Sequence, residues 1–205
     1  MERKSIQKRK TNETEVEVIL NIDGEGKTNI NTGIDFLNHM LDLFAFFAMF
    51  DLDIIATGDV NIDIHHSNED IGITLGKAIK ECLKDAQGIN RFGYAYAPMD
   101  DVLVRAVVDI SGRSRFEYTE KDNIPTSGVK TNTKDEYTLN EAEHFLESIC
   151  QQCNLNLNLG IVKGSADAHH VMEATFKAFG LALKQACSID PRRKGITSTK
   201  GVIDL

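Results

Sequence analysis

The chain contains the stretch Asp63-Ile64-His65-His66-Ser67-Asn68-Glu69 and repeats its pattern as Asp167-Ala168-His169-His170-Val171-Met172-Glu173. Both copies read Asp-x-His-His-x-x-Glu. After each copy, apolar residues recur at three- and four-residue steps, which predicts that each copy opens an amphipathic helix. The doubled stretch therefore predicts a fold made of two similar halves.

The spacing within each copy separates the side chains by direction. On a helix the first His and the Glu are four residues apart and share a face. The second His lies about 100° further round a helix that has ~3.6 residues per turn. Two adjacent histidines cannot easily serve the same small ion, so each copy predicts two ligand sets that point in different directions.

All six histidines of the chain fall into two parallel sets. His39 lies 26 residues before His65, and His144 lies 25 residues before His169. A lone His in an apolar segment is usually a core residue, and a repeat can be purely structural. The shared spacing of all six instead favours metal ligands, and imidazole with carboxylate suits divalent manganese, iron, cobalt, nickel or zinc.

Composition limits the classes of protein. The 205 residues carry 23 Lys and Arg against 31 Asp and Glu, a net charge of −8 that argues against a general nucleic-acid binder. The charged N-terminus is unlike a signal peptide, and the most apolar run, Leu41 to Phe50, is too short for a membrane span. We expect a cytoplasmic protein whose basic run Arg3 to Lys10 is a solvated end. Cys150 and Cys153 are interpreted as buried thiols, with a redox pair as the lesser alternative.

The periodicity predicts one α+β domain, residues 1–205, whose halves span approximately 1–92 and 93–205. Each half reads strand, strand, helix, strand, helix, with the helices on one face of each sheet. The first strand, Glu13 to Leu20, is expected to form a hairpin with Lys27 to Thr32. A short strand is expected before His65, with the helix from about Ser67 to Ala86. Asn140 and Glu143 resemble a capping box.

Four stretches together resemble the imidazoleglycerol-phosphate dehydratase family of histidine biosynthesis, and the resemblance covers essentially the whole chain. They are Gly33 to Met40, Asp63 to Asp70, Asp167 to Ala174 and the tail Ser198 to Gly201. The resemblance implies two β-sheets enclosing a four-helix layer in a monofunctional lyase. It also implies a homo-oligomer of 24 subunits built from trimers, with two manganese ions per active site at a subunit interface.

The resemblance also implies roles for individual residues. One ion would be held by His66, His144, His169 and Glu173, and the other by His39, His65, Glu69 and His170. The substrate would contact Glu13 and the metal-ligating His39, His65 and His66. Its phosphate group would be bound by Arg91, Arg113, Lys177, Ser198 and Lys200. Arg suits a bidentate phosphate contact and Lys a point charge.

The reaction implied is the dehydration of D-erythro-imidazole-glycerol phosphate to imidazole-acetol phosphate. The proton to be removed is on an unactivated carbon beside the imidazole ring, so the reaction needs an electron sink. An imidazolate held between two Mn²⁺ ions would supply it, with the metals as Lewis acids and template. A carboxylate would be the base, and Glu173 and Glu13 are the candidates.

Two other classes of protein use similar ligands. A metal-storage or metal-sensing protein would bind the ions without turnover, but it gives no reason for the phosphate site predicted at Ser198 and Lys200. A dinuclear metallohydrolase acting on phosphate esters is usually richer in Asp ligands. Here Asp63 and Asp167 both precede the helix that carries the Glu, which argues against a metallohydrolase.

Overall fold

The computed structural model describes residues 2–119, 127–164 and 167–205. The first half contains β1 (Lys4–Lys10), β2 (Thr14–Asn21), β3 (Thr28–Asn31), α1 (Asp35–Ala48), β4 (Asp51–Gly58) and α2 (Ile64–Leu83). The second half contains β5 (Phe92–Met99), β6 (Val102–Asp109), β7 (Arg115–Thr119), the short pair β8 (Val129–Lys130) and β9 (Glu136–Tyr137), α3 (Leu139–Cys153), β10 (Asn156–Lys163) and α4 (Ala168–Cys187).

The two four-stranded sheets have the same construction. Their orders are β1-β2-β4-β3 and β5-β6-β10-β7. In each sheet the last strand in the order pairs in parallel and the other neighbours are antiparallel. Helices α1 and α2 pack on the first sheet, α3 and α4 pack on the second, and α2 contacts α3 as α1 contacts α4. The predicted α+β class, with two sheets around four helices, is confirmed.

The core follows from the alternation along the strands. Val16, Val18 and Leu20 of β2 point inward and are fully buried, whereas the residues between them face outward. Phe44 of α1 stacks on Phe179 of α4 with ring centroids 5.1 Å apart, in the preferred range for aromatic pairs. The contact between Phe44 and Phe179 holds α1 against α4, and the N-terminal halves of these two helices carry histidines.

The basic run near the N-terminus is a strand, and its prediction as a solvated end was wrong. All of β1 pairs with β2. Its lysines lie on the outer face, where Lys8 and Lys10 form ion pairs with Glu17 and Glu15 at 2.9 and 2.7 Å, whereas Arg9 faces α2 and pairs with Asp70 at 2.6 Å. Charge on an edge strand is compatible with pairing because only one face meets the core.

The hairpin predicted between Glu13 to Leu20 and Lys27 to Thr32, which correspond to β2 and β3, is also wrong. Strand β3 pairs in parallel with β4, with Ile30 opposite Ile54, and β4 lies between β2 and β3. The backbone N–H of Leu52 donates to the carbonyl of Lys27 at 2.9 Å, so the parallel pairing begins at the turn itself. Strand β4, from later in the chain, lies in this central position with Leu52, Ile54 and Ala56 buried along one face.

Each motif Asp is the N-cap of its helix. The carboxylate of Asp63 accepts a hydrogen bond from the backbone N–H of His65 at 2.8 Å, and Asp167 does the same for His169 at 2.8 Å. Such caps satisfy N–H groups that have no partner inside the helix. Helix α2 therefore starts at Ile64, before the predicted start, and a turn replaces the short strand expected there.

Helix α3 begins two residues earlier than predicted. Its N-cap is Thr138, whose side chain accepts from the backbone N–H of Glu141 at 3.2 Å. The predicted capping box at Asn140 and Glu143 was wrong because Thr138 with Glu141 has the same three-residue spacing and comes first. This start places Glu141 in the first turn of the helix.

All four cysteines are buried free thiols, which confirms the prediction for Cys150 and Cys153. Burial raises the pKa of Cys82 and of Cys187 to about 12 and raises that of Cys150 well above its usual value. Thiols of this kind are not reactive at neutral pH. Within the described ranges, no helix is long and apolar enough to cross a membrane.

Candidate active site

One cluster of metal-ligand side chains joins α1 to α4. Nε2 of His39 lies 2.9 Å from Oε1 of Glu173, and Nε2 of His169 lies 3.0 Å from the same oxygen. The ring of Phe36 packs edge-on against His169, with centroids 5.1 Å apart. Three potential ligand atoms therefore converge at one point between two helices.

The carboxylate of Glu173 is held ionised. Burial alone would raise its pKa, but hydrogen bonds from Lys177, His39 and His169 outweigh burial and lower the pKa to about 2. The strongest of these contacts is from Nζ of Lys177 to Oε2 at 2.7 Å, between side chains that are 15% and 10% exposed. Glu173 thus presents a negative charge at any pH near neutrality.

The second cluster joins α2 to α3. The rings of His65 and His144 meet edge to face with centroids 5.1 Å apart. Together with Glu141 they form a group whose potential ligand atoms lie within 4.8 Å of one another. Glu69 lines a cavity together with His65 and His144. Nδ1 of His144 is buried and has no hydrogen-bond partner among the residues that the structure describes.

The second histidine of each motif faces other partners, as the helical spacing predicts. Nδ1 of His66 lies 3.1 Å from Asp59 and 3.9 Å from Glu13. The hydrogen bond to Asp59 raises the pKa of His66 in spite of some burial. Nε2 of His170 lies 3.6 Å from Asp100.

The predicted phosphate ligands lie away from these clusters, with the exception of Lys177. The guanidinium of Arg91 binds Asp109 at 2.7 Å and donates to the carbonyl of Thr197 at 3.1 Å. The backbone N–H of Arg91 bonds the carbonyl of Ala186 at 2.9 Å. About 13 Å of helix separates Lys177 from Ala186, at ~1.5 Å per residue.

The tail is folded against its own chain. The backbone N–H of Gly88 donates to Gly195 at 2.9 Å, and the hydroxyl of Thr197 donates to Ile89 at 2.7 Å. Ile203 is buried. Lys200 and Arg113 are exposed at the surface, and Ser198 is half-buried with its hydroxyl accepting from the backbone N–H of Lys200 at 3.2 Å.

Known proteins are similar in sequence to this chain along nearly its whole length. A family model for imidazoleglycerol-phosphate dehydratase matches residues 32–183. The chain belongs to the imidazoleglycerol-phosphate dehydratase family. It is 46% identical over 203 residues to the Geobacillus kaustophilus enzyme of that name, covering 99% of this chain and 100% of the relative. It is also 46% identical over 201 residues to the Bacillus subtilis enzyme, covering 98% and 100%.

Solved structures of the family agree with the fold. The dehydratase from Staphylococcus aureus has a TM-score of 0.75 at 35% identity, covering 91% of this chain and 100% of that one. The one from Pyrococcus furiosus has a TM-score of 0.77 at 34% identity, covering 96% and 99%. Membership makes the chain a hydro-lyase of histidine biosynthesis, as the sequence motifs predict.

Within one chain, the clusters mix members of the two ligand sets that the resemblance implies. His39 and His169 are assigned to different ions but share Glu173. His65 and His144 are likewise assigned to different ions and lie in ring contact. The division of ligands between ions stays a prediction.

Two carboxylates beside the histidines were not found by sequence reasoning. Asp59 lies in the turn before α2, outside the doubled motif. Glu141 lies outside the doubled motif and approaches His65 through the packing of α3 on α2. The three-residue spacing of Glu141 from His144, on one helical face, was the available signal.

Proposed function

We propose that the chain dehydrates D-erythro-imidazole-glycerol phosphate to imidazole-acetol phosphate in the cytoplasm, with two Mn²⁺ ions per active site. The observation that carries the proposal is the pair of clusters formed by His39, His169 and Glu173 and by His65, His144 and Glu141. Each lies between the N-terminal halves of two helices. Family membership indicates the reaction class, and the clusters provide side chains that could bind the metal ions.

The residues fit divalent manganese. Imidazole nitrogen and carboxylate oxygen are suitable ligands, and the buried, unpartnered Nδ1 of His144 has a vacant acceptor or donor position. When bound, the two cations would supply Lewis-acid chemistry to the substrate ring. One would be held by His66, His144, His169 and Glu173, and the other by His39, His65, Glu69 and His170.

Of the two candidate bases, Glu13 is better suited to move the carbon-bound proton. A carboxylate with a pKa of about 2, such as Glu173, is a weak base at neutral pH and a good ligand. The side chain of Glu13 is 55% exposed and lies 3.9 Å from His66, so it borders the site without being tied to a cation there. We assign metal binding to Glu173 and proton transfer to Glu13.

The phosphate contacts support an active site shared between chains. Lys177 lies at the His39 cluster, but Arg91 and the tail lie at the other end of α4. A substrate of a few carbons cannot span that distance, so Arg91, Arg113, Ser198 and Lys200 would serve the site of a neighbouring chain. The resemblance to the family is the basis for proposing an assembly of 24 subunits built from trimers, and a site shared between chains is compatible with it.

A turnover assay separates this function from its alternatives. Metal-stripped protein is mixed with imidazole-glycerol phosphate, and formation of the dehydrated ketone and release of inorganic phosphate are followed with and without Mn²⁺. We expect ketone only in the presence of the metal. Metal binding without turnover would indicate a storage or sensing protein, and release of phosphate would indicate a hydrolase.

The same assay tests the base. Glu13→Gln is expected to lower kcat by a factor of about 10²–10⁴, typical of a lost general base, while leaving Mn²⁺ content unchanged. Glu173→Gln is expected to lower metal content as well. If Glu13→Gln turns over like the unchanged protein, another group removes the proton.

A further inference from the structure

Glu141 is a carboxylate beside two predicted metal ligands that has no place in the doubled motif. Its Oε2 lies 3.6 Å from Nδ1 of His65. Its side chain is 17% exposed, and it shares the 4.8 Å cluster with His65 and His144. The carboxylate therefore lies where it can act on the imidazoles.

Buried polar contacts hold Glu141 in this position. Nδ2 of Asn68 donates to the backbone carbonyl of Glu141 at 2.8 Å and approaches Oε2 at 3.4 Å. Oδ1 of Asn68 accepts from the hydroxyl of Tyr137 at 2.8 Å, and both Asn68 and Tyr137 are 0% exposed. A Glu at this point of a helix ordinarily bonds back to the N-cap backbone. Here its side chain is directed towards α2 instead.

The corresponding position of the other cluster carries an aromatic ring. Glu141 lies three residues before His144, and Phe36 lies three residues before His39. The ring of Phe36 lies 5.1 Å from that of His169. The duplicated helices thus place a carboxylate against one histidine pair and a hydrocarbon against the other.

The two clusters also differ in the residue that follows the motif Glu by four positions. Glu173 is paired with Lys177, four residues further along α4. Four residues after Glu69, the corresponding motif Glu, the chain has Ile73. The cluster that contains Glu141 therefore lacks the corresponding lysine, and Glu141 adds a carboxylate where the other cluster has Phe36.

We propose that Glu141 is a positioning residue of the metal centre, which orients His65 and strengthens binding of the divalent cation that His65 would hold. A carboxylate facing Nδ1 at 3.6 Å favours the tautomer that carries its proton there, which leaves Nε2 as the metal ligand. Its negative charge also attracts the cation at short range. The inference rests on the proposed function, because it requires that these histidines bind a metal.

The test compares Glu141→Gln with Glu25→Gln. Glutamine keeps the shape and an oxygen that can accept from Asn68, so only the charge next to His65 is lost. Glu25 lies in an exposed turn and pairs with Lys27, so its substitution makes the same change in net charge away from the cluster. Both variants and the unchanged protein are stripped of metal, and Mn²⁺ binding is measured by electron paramagnetic resonance and by titration calorimetry.

We expect Glu141→Gln to bind Mn²⁺ about 10–100-fold more weakly, as is typical when a partner of a metal ligand is lost. The melting midpoint of the metal-free protein should stay unchanged, and Glu25→Gln should bind like the unchanged protein. Equal Mn²⁺ affinity in Glu141→Gln would overturn the inference, and so would a loss matched by Glu25→Gln. Binding of Mn²⁺ by the unchanged protein without dehydration would overturn the proposed function alone, because the affinity ratio still tests Glu141.

Discussion

Gly72→Ala tests whether close packing of α2 on α3 positions the His65–His144 pair. A Cβ atom at Gly72 would lie 2.9 Å from the backbone oxygen of Phe145 and 3.0 Å from Cβ of Ser148. Ordinary contacts begin at 3.4 Å. Helix α3 must therefore retreat by about 0.5 Å, and the backbone that moves is next to His144.

The expected change in stability is the difference of two terms. Overpacking of a helix interface costs about 1–3 kcal/mol. Replacing Gly by Ala inside a helix gains roughly 1 kcal/mol. The net loss is about 0–2 kcal/mol, and each kcal/mol lowers the melting midpoint of a chain of this size by about 2–4 °C.

The expected change in metal binding is of the same size as the change in stability. Binding sites must keep their ligands within about 0.5 Å of the productive geometry, so the displacement reaches that limit. We expect Mn²⁺ affinity to fall roughly tenfold, similar to the loss of a contact that supports a ligand. Calorimetric titration of the metal-stripped protein measures it.

Gly76→Ala is the matched control. Its Cβ would lie 2.8 Å from the backbone oxygen of Ile149, a similar clash one helical turn further from the histidines. It should lower the melting midpoint by a similar amount and Mn²⁺ affinity by less. If both variants bind Mn²⁺ equally well, or if Gly72→Ala binds like the unchanged protein, helix separation does not set the ligand geometry.

Three further predictions concern the metals and the tail. His66→Ala or His170→Ala should leave a folded chain with lost activity and reduced metal content, and a full metal complement in both by elemental analysis would contradict the ligand assignment. Chelation, or acidification below the ordinary histidine pKa of ~6.5, should release the ions and shrink the particle in light scattering, because imidazoles must be neutral to bind; an unchanged particle after complete metal removal would refute metal bridging. Lys200→Ala should raise KM strongly without changing metal content or particle size, and an unchanged KM would place the phosphate elsewhere. Deletion from Ser198 onward tests the same point less cleanly because it also removes the buried Ile203.

The doubled motif predicted most of the helical part of the fold because its signals are local. Asp63 and Asp167 are caps, and the apolar steps that follow set the buried faces of α2 and α4. The strands were harder to predict. The position of β4 between β2 and β3 depends on pairing across the sheet, which no short stretch of sequence specifies. The basic run of β1 was interpreted as a solvated end because its inner face carries the polar Ser5, Gln7 and Arg9 and gives no apolar alternation.

The residues of the candidate site were likewise predictable only where their signals are local. Residue types and spacing predicted the histidines, since each is placed by the periodicity of its own helix. Asp59 and Glu141 were missed because tertiary packing, not the motif, brings them to His66 and His65. A carboxylate that supports a ligand has no fixed spacing from it along the chain.

The two histidines of each motif have different relations to their own chain, and this difference supports an active site shared between chains. The first histidines, His65 and His169, each meet a histidine from another helix of the same chain. The second histidines, His66 and His170, face carboxylates on the same chain, and their side chains remain 36% and 28% exposed. A carboxylate at one ring nitrogen leaves the other available as a ligand. A neighbouring chain that brings its own first histidines to these exposed rings would complete both ligand sets, which one chain by itself leaves divided.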